Sequence, residues 1–285
     1  MTATPTDRLA RRDPRDPVLA WRLHRPDGAP KGAVLLTHGY GEHSGRYDEV
    51  VAGWTARGLL VATWDLRGHG HSEGPRGHVA HFSDYVRDAI ELLDALDADV
   101  AWHAASPPVV FGHSLGGLIT AHVALAAPGR MRGVALSSPF FGLALSVPAA
   151  KRIAGRLMSR LVPTFGLPTG LKGADLTHDE AIAHAYDVDP LGVKNATARW
   201  FTEATAAQAE AFERAPELRL PLLCLHGGAD KVASVEASEA FVARASSKDK
   251  RHERIVGRYH EILNEPERAG YITAFADAMC AWSAA

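Results

Sequence analysis

At 285 residues and a formal charge of −2, the chain can bury a large core without disulfides or metals, and it is too evenly charged for nucleic acid to be its main partner. Its two cysteines, Cys224 and Cys280, lie far apart with no C-x-x-C spacing, so zinc and redox motifs find no support. Residues 1–17 contain no apolar signal-type run, and nowhere does an uncharged apolar stretch reach the ~20 residues of a membrane span; a soluble, cytoplasmic protein is expected, with association to a membrane surface left open.

Short apolar runs alternate with helical patterns, which predicts a mostly parallel sheet flanked by helices. Residues 33–37 form the first buried strand. Tyr47, Val50, Val51 and Trp54 then make a helical stripe that stops at Gly58, and residues 59–64 give a second strand. Ser83 is expected to cap a helix striped by Val86, Ala89, Ile90 and Leu93. Residues 109–111 and 133–136 are the next strands; like the others they are continuously apolar, as a sheet covered on both faces requires. From about Phe140 to about Phe212 no strand is convincing, and a Pro/Gly-punctuated stretch at 163–173 separates helical patterns. The chain therefore divides into a first core part (1–139), a helical cap insertion (140–212) and a second core part (213–285). Residues 222–225 resume the sheet, with Cys224 as a buried thiol. A helix follows near Ser234, residues 254–256 are a weaker last strand, and a final helix from about Pro266 carries Tyr271, Phe275, Met279 and Trp282.

The chemistry centres on Gly112-His113-Ser114-Leu115-Gly116, a G-x-S-x-G sequence between a strand and a helix. A serine held in a tight strand-to-helix turn brings the positions two before and two after it against neighbouring backbone, where only a small residue fits. The pattern alone also fits a glycine-rich turn with an incidental serine. Because a serine hydroxyl is a weak nucleophile at neutral pH, it needs a base, and in this fold the order is Ser, then acid, then His. Of fifteen histidines, His260 stands on the loop between the last strand and last helix, where a base projects toward Ser114. Asp230 ends His226-Gly227-Gly228-Ala229-Asp230, a turn delivered by the 222–225 strand, and would fix the His260 tautomer. Read plainly, His260 is a loop histidine and Asp230 a turn aspartate. Asp65 precedes Ser114, the wrong order, and is assigned to its own turn; Glu236 and Asp249 are weaker rivals. The N–H groups of Leu115 and Tyr40 are the expected oxyanion donors, the second from His38-Gly39-Tyr40-Gly41 after the first strand.

With these residues placed, the chain resembles the monoacylglycerol lipase and lysophospholipase branch of the α/β-hydrolases from about Leu19 onward. The resemblance rests on residues 38–47 (HGYGEHSGRY), 65–72 (DLRGHGHS) and 112–117, with Asp189-Pro190-Leu191, Gly228-Ala229-Asp230 and Tyr259-His260-Glu261 in support. It implies an α/β-hydrolase fold with a cap over the site, hydrolysis without cofactor or metal, and a single-chain acyl ester as substrate. It also implies substrate contacts near the polar head group from Glu42, Arg46 and His113. Leu263 and Ala233 stand where mammalian members carry a second histidine and a cysteine, so the likeness does not extend to glycerol recognition.

In the cap, residues 140–147 are strongly apolar, and Ile153, Leu157 and Leu161 share a helix face beside Lys151, Arg152, Arg156 and Arg160. That pattern suits contact with an anionic lipid or micelle surface, and equally a cap helix packed on the core with solvated arginines. Hydrolysis of monoacylglycerols through an acyl-enzyme is the leading expectation. A small-ester carboxylesterase, a cofactor-free perhydrolase and a ligand-binding protein on a hydrolase scaffold are the alternatives.

Overall fold

The computed structural model describes residues 7–9, 11, 13–144 and 149–284, without the side chains of 149–154. Eight strands form one sheet: β1 (Asp7–Leu9), β2 (Leu19–His24), β3 (Gly32–Thr37), β4 (Leu59–Trp64), β5 (Val109–His113), β6 (Gly133–Ser137), and, beyond the insertion, the last two strands, Leu222–Gly227 and Lys250–Ile255. Within the insertion, β7 (Gly166–Pro168) and β8 (Asn195–Thr197) make a small antiparallel pair, so the last two core strands are β9 and β10. The order across the large sheet is β1-β2-β4-β3-β5-β6-β9-β10. Pairings from β4 through to β10 are parallel, and β1 and β2 are added antiparallel. The chain thus has an α/β-hydrolase fold.

Alternation along each strand feeds a separate core on each face. Ala33 and Leu35 of β3 join the cluster beneath helices α2 (Ser83–Leu96), α4 (Leu115–Ala126) and α8 (Ala198–Arg214), numbered in chain order with α1 (Asp48–Ala56) and α3 (Val100–Ala105). Val34 and Leu36 point the other way, under α1 and the final helix α10 (Arg268–Ala284). There Phe111 is wedged edge-on between Trp54 and Phe275, at 4.9 and 5.1 Å between ring centres. Each such fully buried ring contributes roughly 1.5–3 kcal/mol of hydrophobic stabilisation.

Several sequence expectations need correction. The strands β1 and β2 were not foreseen, because Leu19–His24 mixes apolar residues with Arg22 and His24 on a half-buried strand. The pair β7·β8 lies where no strand was expected; at three residues each, these strands are too short for a periodic signal. The last strand is Lys250–Ile255 rather than 254–256, and its charged side chains suit a sheet edge. Ser83 does not cap α2. It is the first helical residue after Phe82, whose N–H donates to Glu203 Oε2 at 3.0 Å. Ser234, in contrast, caps α9 (Val235–Arg244), its Oγ accepting from the Ala237 N–H.

Between β6 and β9 the chain leaves the sheet through α5 (Ala149–Leu161), β7, α6 (Gly173–Leu176), α7 (Glu180–Val188), β8 and α8. Residues 145–147 of the apolar run, and the side chains of Lys151, Arg152 and Ile153, lie outside the described residues. Of the two readings of this helix face, its described positions do not follow core packing: Leu157 and Leu161 are 57% and 69% exposed.

Candidate active site

β5 ends at the centre of the sheet, and the chain reverses at Ser114 to enter α4. Ser114 takes φ 52°, ψ −119°, a left-handed conformation that costs a non-glycine residue about 1–3 kcal/mol. The surrounding backbone holds it there. The Ser114 N–H donates to Ser137 O at 3.0 Å, and its carbonyl accepts from Gly117, Leu118 and Phe140. A Cβ on Gly112 would sit 2.2 Å from Gly116 O, and one on Gly116 the same distance from Thr37 O. That is the steric reason for G-x-S-x-G.

The structure brings the three expected residues to one place. His260 Nδ1 lies 2.6 Å from Asp230 Oδ2, and His260 and Ser114 both line a single cavity of about 760 Å³. Asp230 Oδ1 accepts from the Val232 and Ala233 N–H groups at 2.7 and 3.0 Å, which fixes the carboxylate at the end of β9. Burial opposes its charge, but His260 and His226 outweigh that and hold the Asp230 carboxyl far below the usual range. For His260 the balance is the reverse: burial pulls its pKa down, and the Asp230 charge more than restores it, leaving it above 6.5.

Tyr40 and Leu115 also line the cavity. Leu115 opens α4, so its N–H belongs to the first turn, where no carbonyl four residues earlier serves it. The loop bearing Tyr40 is held by Glu42, whose Oε1 accepts from the Gly39 N–H at 2.6 Å and from Tyr47 Oη at 2.7 Å. A Cβ on Gly39 would approach Ser114 Cβ to 3.1 Å, so the loop runs directly over the serine. The Tyr40 ring packs against Trp200, and its hydroxyl donates to Asn195 O at 2.6 Å. Asp65 serves its own turn as expected, accepting from the Ser44 and His71 N–H groups.

Glu42 and His113 are in the cavity wall, while Arg46 is committed to two carboxylates. Its guanidinium reaches Glu42 at 2.8 Å and forks onto Glu261 at 2.7 and 2.8 Å. Burial resists ionisation of Glu261, but Arg46 prevails and lowers its pKa to about 2. Glu261 adjoins His260 and its N–H donates to Leu176 O at 2.8 Å, so this ion cluster ties the cap to the loop bearing His260. His113 donates from Nδ1 to Ser137 O and packs 4.9 Å from the His260 ring. Burial, reinforced by His260, pushes its pKa down to about 4, so it is neutral at pH 7.

Apart from Glu261, Tyr186, Thr169 and Thr197, the remaining cavity wall is apolar and comes largely from the segment between β6 and β9: Phe140, Met158, Phe165, Leu167, Leu171 and Phe201. Sequence reasoning assigned no role to Glu261, Trp200 or Tyr186. The first was visible only as part of Tyr259-His260-Glu261, and nothing in sequence spacing marks the other two. Among the described residues no cluster of His, Cys, Asp and Glu is arranged to hold a metal, and no helix is long and apolar enough to cross a membrane.

Comparison with known proteins concerns the chain as a whole. The family model Hydrolase_4, described as "Serine aminopeptidase, S33", matches residues 28–267. The "Monoacylglycerol lipase" of Mycolicibacterium smegmatis is 34% identical over 252 residues, covering 88% of each chain. The human "Monoglyceride lipase" is 32% identical over 249 residues, covering 86% of this chain and 80% of its own. The crystal structure of Paleococcus ferrophilus monoacylglycerol lipase superimposes with a TM-score of 0.82 at 28% identity, covering 92% of this chain and 99% of that one.

Proposed function

This chain belongs to the Hydrolase_4 family, and we propose that it is a serine hydrolase of carboxylic esters, acting on monoacylglycerols or similar single-acyl-chain lipids. Ser114 is the nucleophile, His260 the general base and then acid, and Asp230 the group that keeps the His260 proton on Nδ1 so that Nε2 faces the serine. Attack on the ester carbonyl gives a tetrahedral oxyanion received by the Leu115 and Tyr40 N–H groups. His260 then protonates the leaving alcohol, and water hydrolyses the acyl-enzyme by the same route in reverse. Glu42, with His113 beside it, lines the end of the cavity near the alcohol, and the cap residues 140–212 sheathe the acyl chain.

The observation that carries this reading is a strained serine and an aspartate-bound histidine opening together on one apolar cavity. The names of the relatives point to the same substrate class. The test is labelling with a fluorophosphonate probe, followed by turnover of 1- and 2-monoacylglycerols and p-nitrophenyl acetate, octanoate and palmitate. Labelling lost in Ser114→Ala, with preference for the longer esters, is expected. Preference for acetate would mean a small-ester carboxylesterase, and halogenation dependent on acetate and peroxide a perhydrolase. Cleavage of aminoacyl anilides in place of esters would overturn the ester assignment.

The cap also supports contact with a lipid surface. Leu157, Leu161, Phe165 and Leu167 are exposed apolar residues in α5 and the chain after it, with exposed Arg156 and Arg160 on the same helix. Phe165 and Leu167 also line the cavity, so the patch adjoins the acyl-chain site. Co-sedimentation with anionic liposomes is expected, and should be lost in a Leu157→Ser/Leu161→Ser variant and weakened in Arg156→Ala/Arg160→Ala. A wild type that stays in the supernatant would refute it.

A further inference from the structure

A second imidazole sits on Asp230. His226, on β9, is fully buried, and its Nε2 lies 2.9 Å from the same Oδ2 that binds His260 Nδ1. Both oxygens of Asp230 are therefore engaged, Oδ1 by two backbone N–H groups and Oδ2 by two rings. The chemistry of a serine hydrolase needs only one of those rings. The other nitrogen of His226, Nδ1, is 2.8 Å from Ser238 Oγ in α9, and that hydroxyl is 2.8 Å from His252 Nε2 on the edge strand β10.

Proton counting limits what this chain of groups can do. An ionised carboxylate only accepts, so His226 carries a proton on Nε2. Ser238 has one proton and four partners within reach: His226 Nδ1, His252 Nε2, Val235 O at 2.8 Å, and the Cys224 thiol, the weakest acceptor of the four. Given to His226, that proton leaves the ring neutral, and His252 donates to the serine. Given to Val235 O, it requires His226 to donate from both nitrogens, as an imidazolium. The charged and titratable groups around the chain are Asp230 and His260 at one end, Glu239 and Arg254 near His252 at the other, and between them the Cys224 thiol, which contacts Ser238 and is kept protonated by burial. Burial lowers the His252 pKa to about 4, so at neutral pH it carries no charge and a single N–H.

We propose that His226 is a positioning residue for the base: its Nε2–H holds Asp230 Oδ2 toward His260 Nδ1 and draws charge from that oxygen, so that His260 is less basic than Asp230 alone would make it. Ser238 and His252 keep His226 in the required tautomer. The inference rests on the reading of Ser114, His260 and Asp230 as a catalytic unit.

The pair His226→Gln and His226→Asn separates position from mere filling of space. A glutamine amide reaches the place of the imidazole Nε2 and can donate to Asp230, while the shorter asparagine reaches only toward Ser238. Fluorophosphonate labelling rates and kcat/KM for p-nitrophenyl octanoate are measured from pH 5 to 9, with thermal unfolding of each variant as a check on folding. His226→Gln is expected to stay within about threefold of wild type. His226→Asn should lose about ten- to a hundredfold in kcat with KM unchanged, the fold-change that one hydrogen bond to a charged group corresponds to. Its acid limb should also move to higher pH. Equal activity and acid limbs in wild type and His226→Asn would overturn the proposal, as would an equal fall in both variants. Failure of the underlying reading looks different: the wild type itself would be unlabelled.

Discussion

Replacing Asp230 by asparagine is the most demanding test of the assigned chemistry, because the change is isosteric and every neighbour of the side chain is known. Oδ1 receives two backbone N–H groups and Oδ2 receives two imidazoles, so all four partners of the carboxylate are donors. An amide has only one accepting end. If its oxygen stays with Val232 and Ala233, its NH2 faces both rings, so His226 must offer a lone pair at Nε2, moving its proton to Nδ1 toward Ser238, and His260 must offer one at Nδ1. The His260 proton moves to Nε2, and the ring can no longer accept the proton of Ser114. If the amide is flipped, two backbone donors oppose an NH2, and two hydrogen bonds worth about 1 kcal/mol each are lost. The first arrangement costs less in folding and should dominate. In a serine protease triad the wrong tautomer lowers kcat by about 10⁴, roughly 5.5 kcal/mol of transition-state stabilisation. Asp230→Asn should therefore unfold within a few degrees of wild type yet turn over p-nitrophenyl octanoate about 10³- to 10⁴-fold more slowly. A loss below about tenfold in a folded variant would refute the role of Asp230.

Four other outcomes are expected. With His260 as the proposed base and its pKa raised by Asp230, kcat/KM should fall with an acid limb above pH 6.5; a limb below that value contradicts the stated balance. The folding contribution of the same group is full below 6.5 and is lost as pH rises through the raised value, whereas Glu261, lowered to about 2, contributes above 4.5 and loses that contribution as pH falls toward 2; thermal melts across both windows check the two signs. Arg46→Leu leaves Glu42 and Glu261 buried without their cation and should destabilise by about 3–5 kcal/mol in chemical denaturation, with weakened activity because the Gly39 and His260 loops are both tied to it. Gly116→Ala forces a Cβ to within 2.2 Å of Thr37 O and should yield little folded protein, while Gly129→Ala, with open space around it, should be tolerated on expression and melting.

Much of the fold is legible locally. The continuous apolar runs at β3, β4, β5, β6 and β9 read as buried strands because both sheet faces are covered, and composition suffices to mark them. β2 escaped and β10 was legible only at its last residues, because edge and near-edge strands carry charge for solubility, which erases the pattern that identifies a strand. β7 and β8 escaped because three residues hold no period. The insertion was legible as an interruption and not as a shape: the spacing of its leucines fits a face turned inward or outward, and only their exposure decides between them.

The turn at Ser114, with its flanking glycines, was legible in sequence alone, since its steric demands are written in five consecutive residues. His260 and Asp230 were legible in chain order, but the 2.6 Å contact between residues thirty apart required β9 and β10 to pair in parallel, which sets the turn after one against the loop after the other. What only the tertiary structure decided is the environment of those groups. The fork of Arg46 onto Glu261 spans 215 residues, and the cavity wall joins cap to core. His226 is adjacent to the motif, yet nothing in its spacing shows that it shares an oxygen with His260. Local sterics are encoded locally; charge balance depends on every group within a few ångströms, and folding chooses which those are.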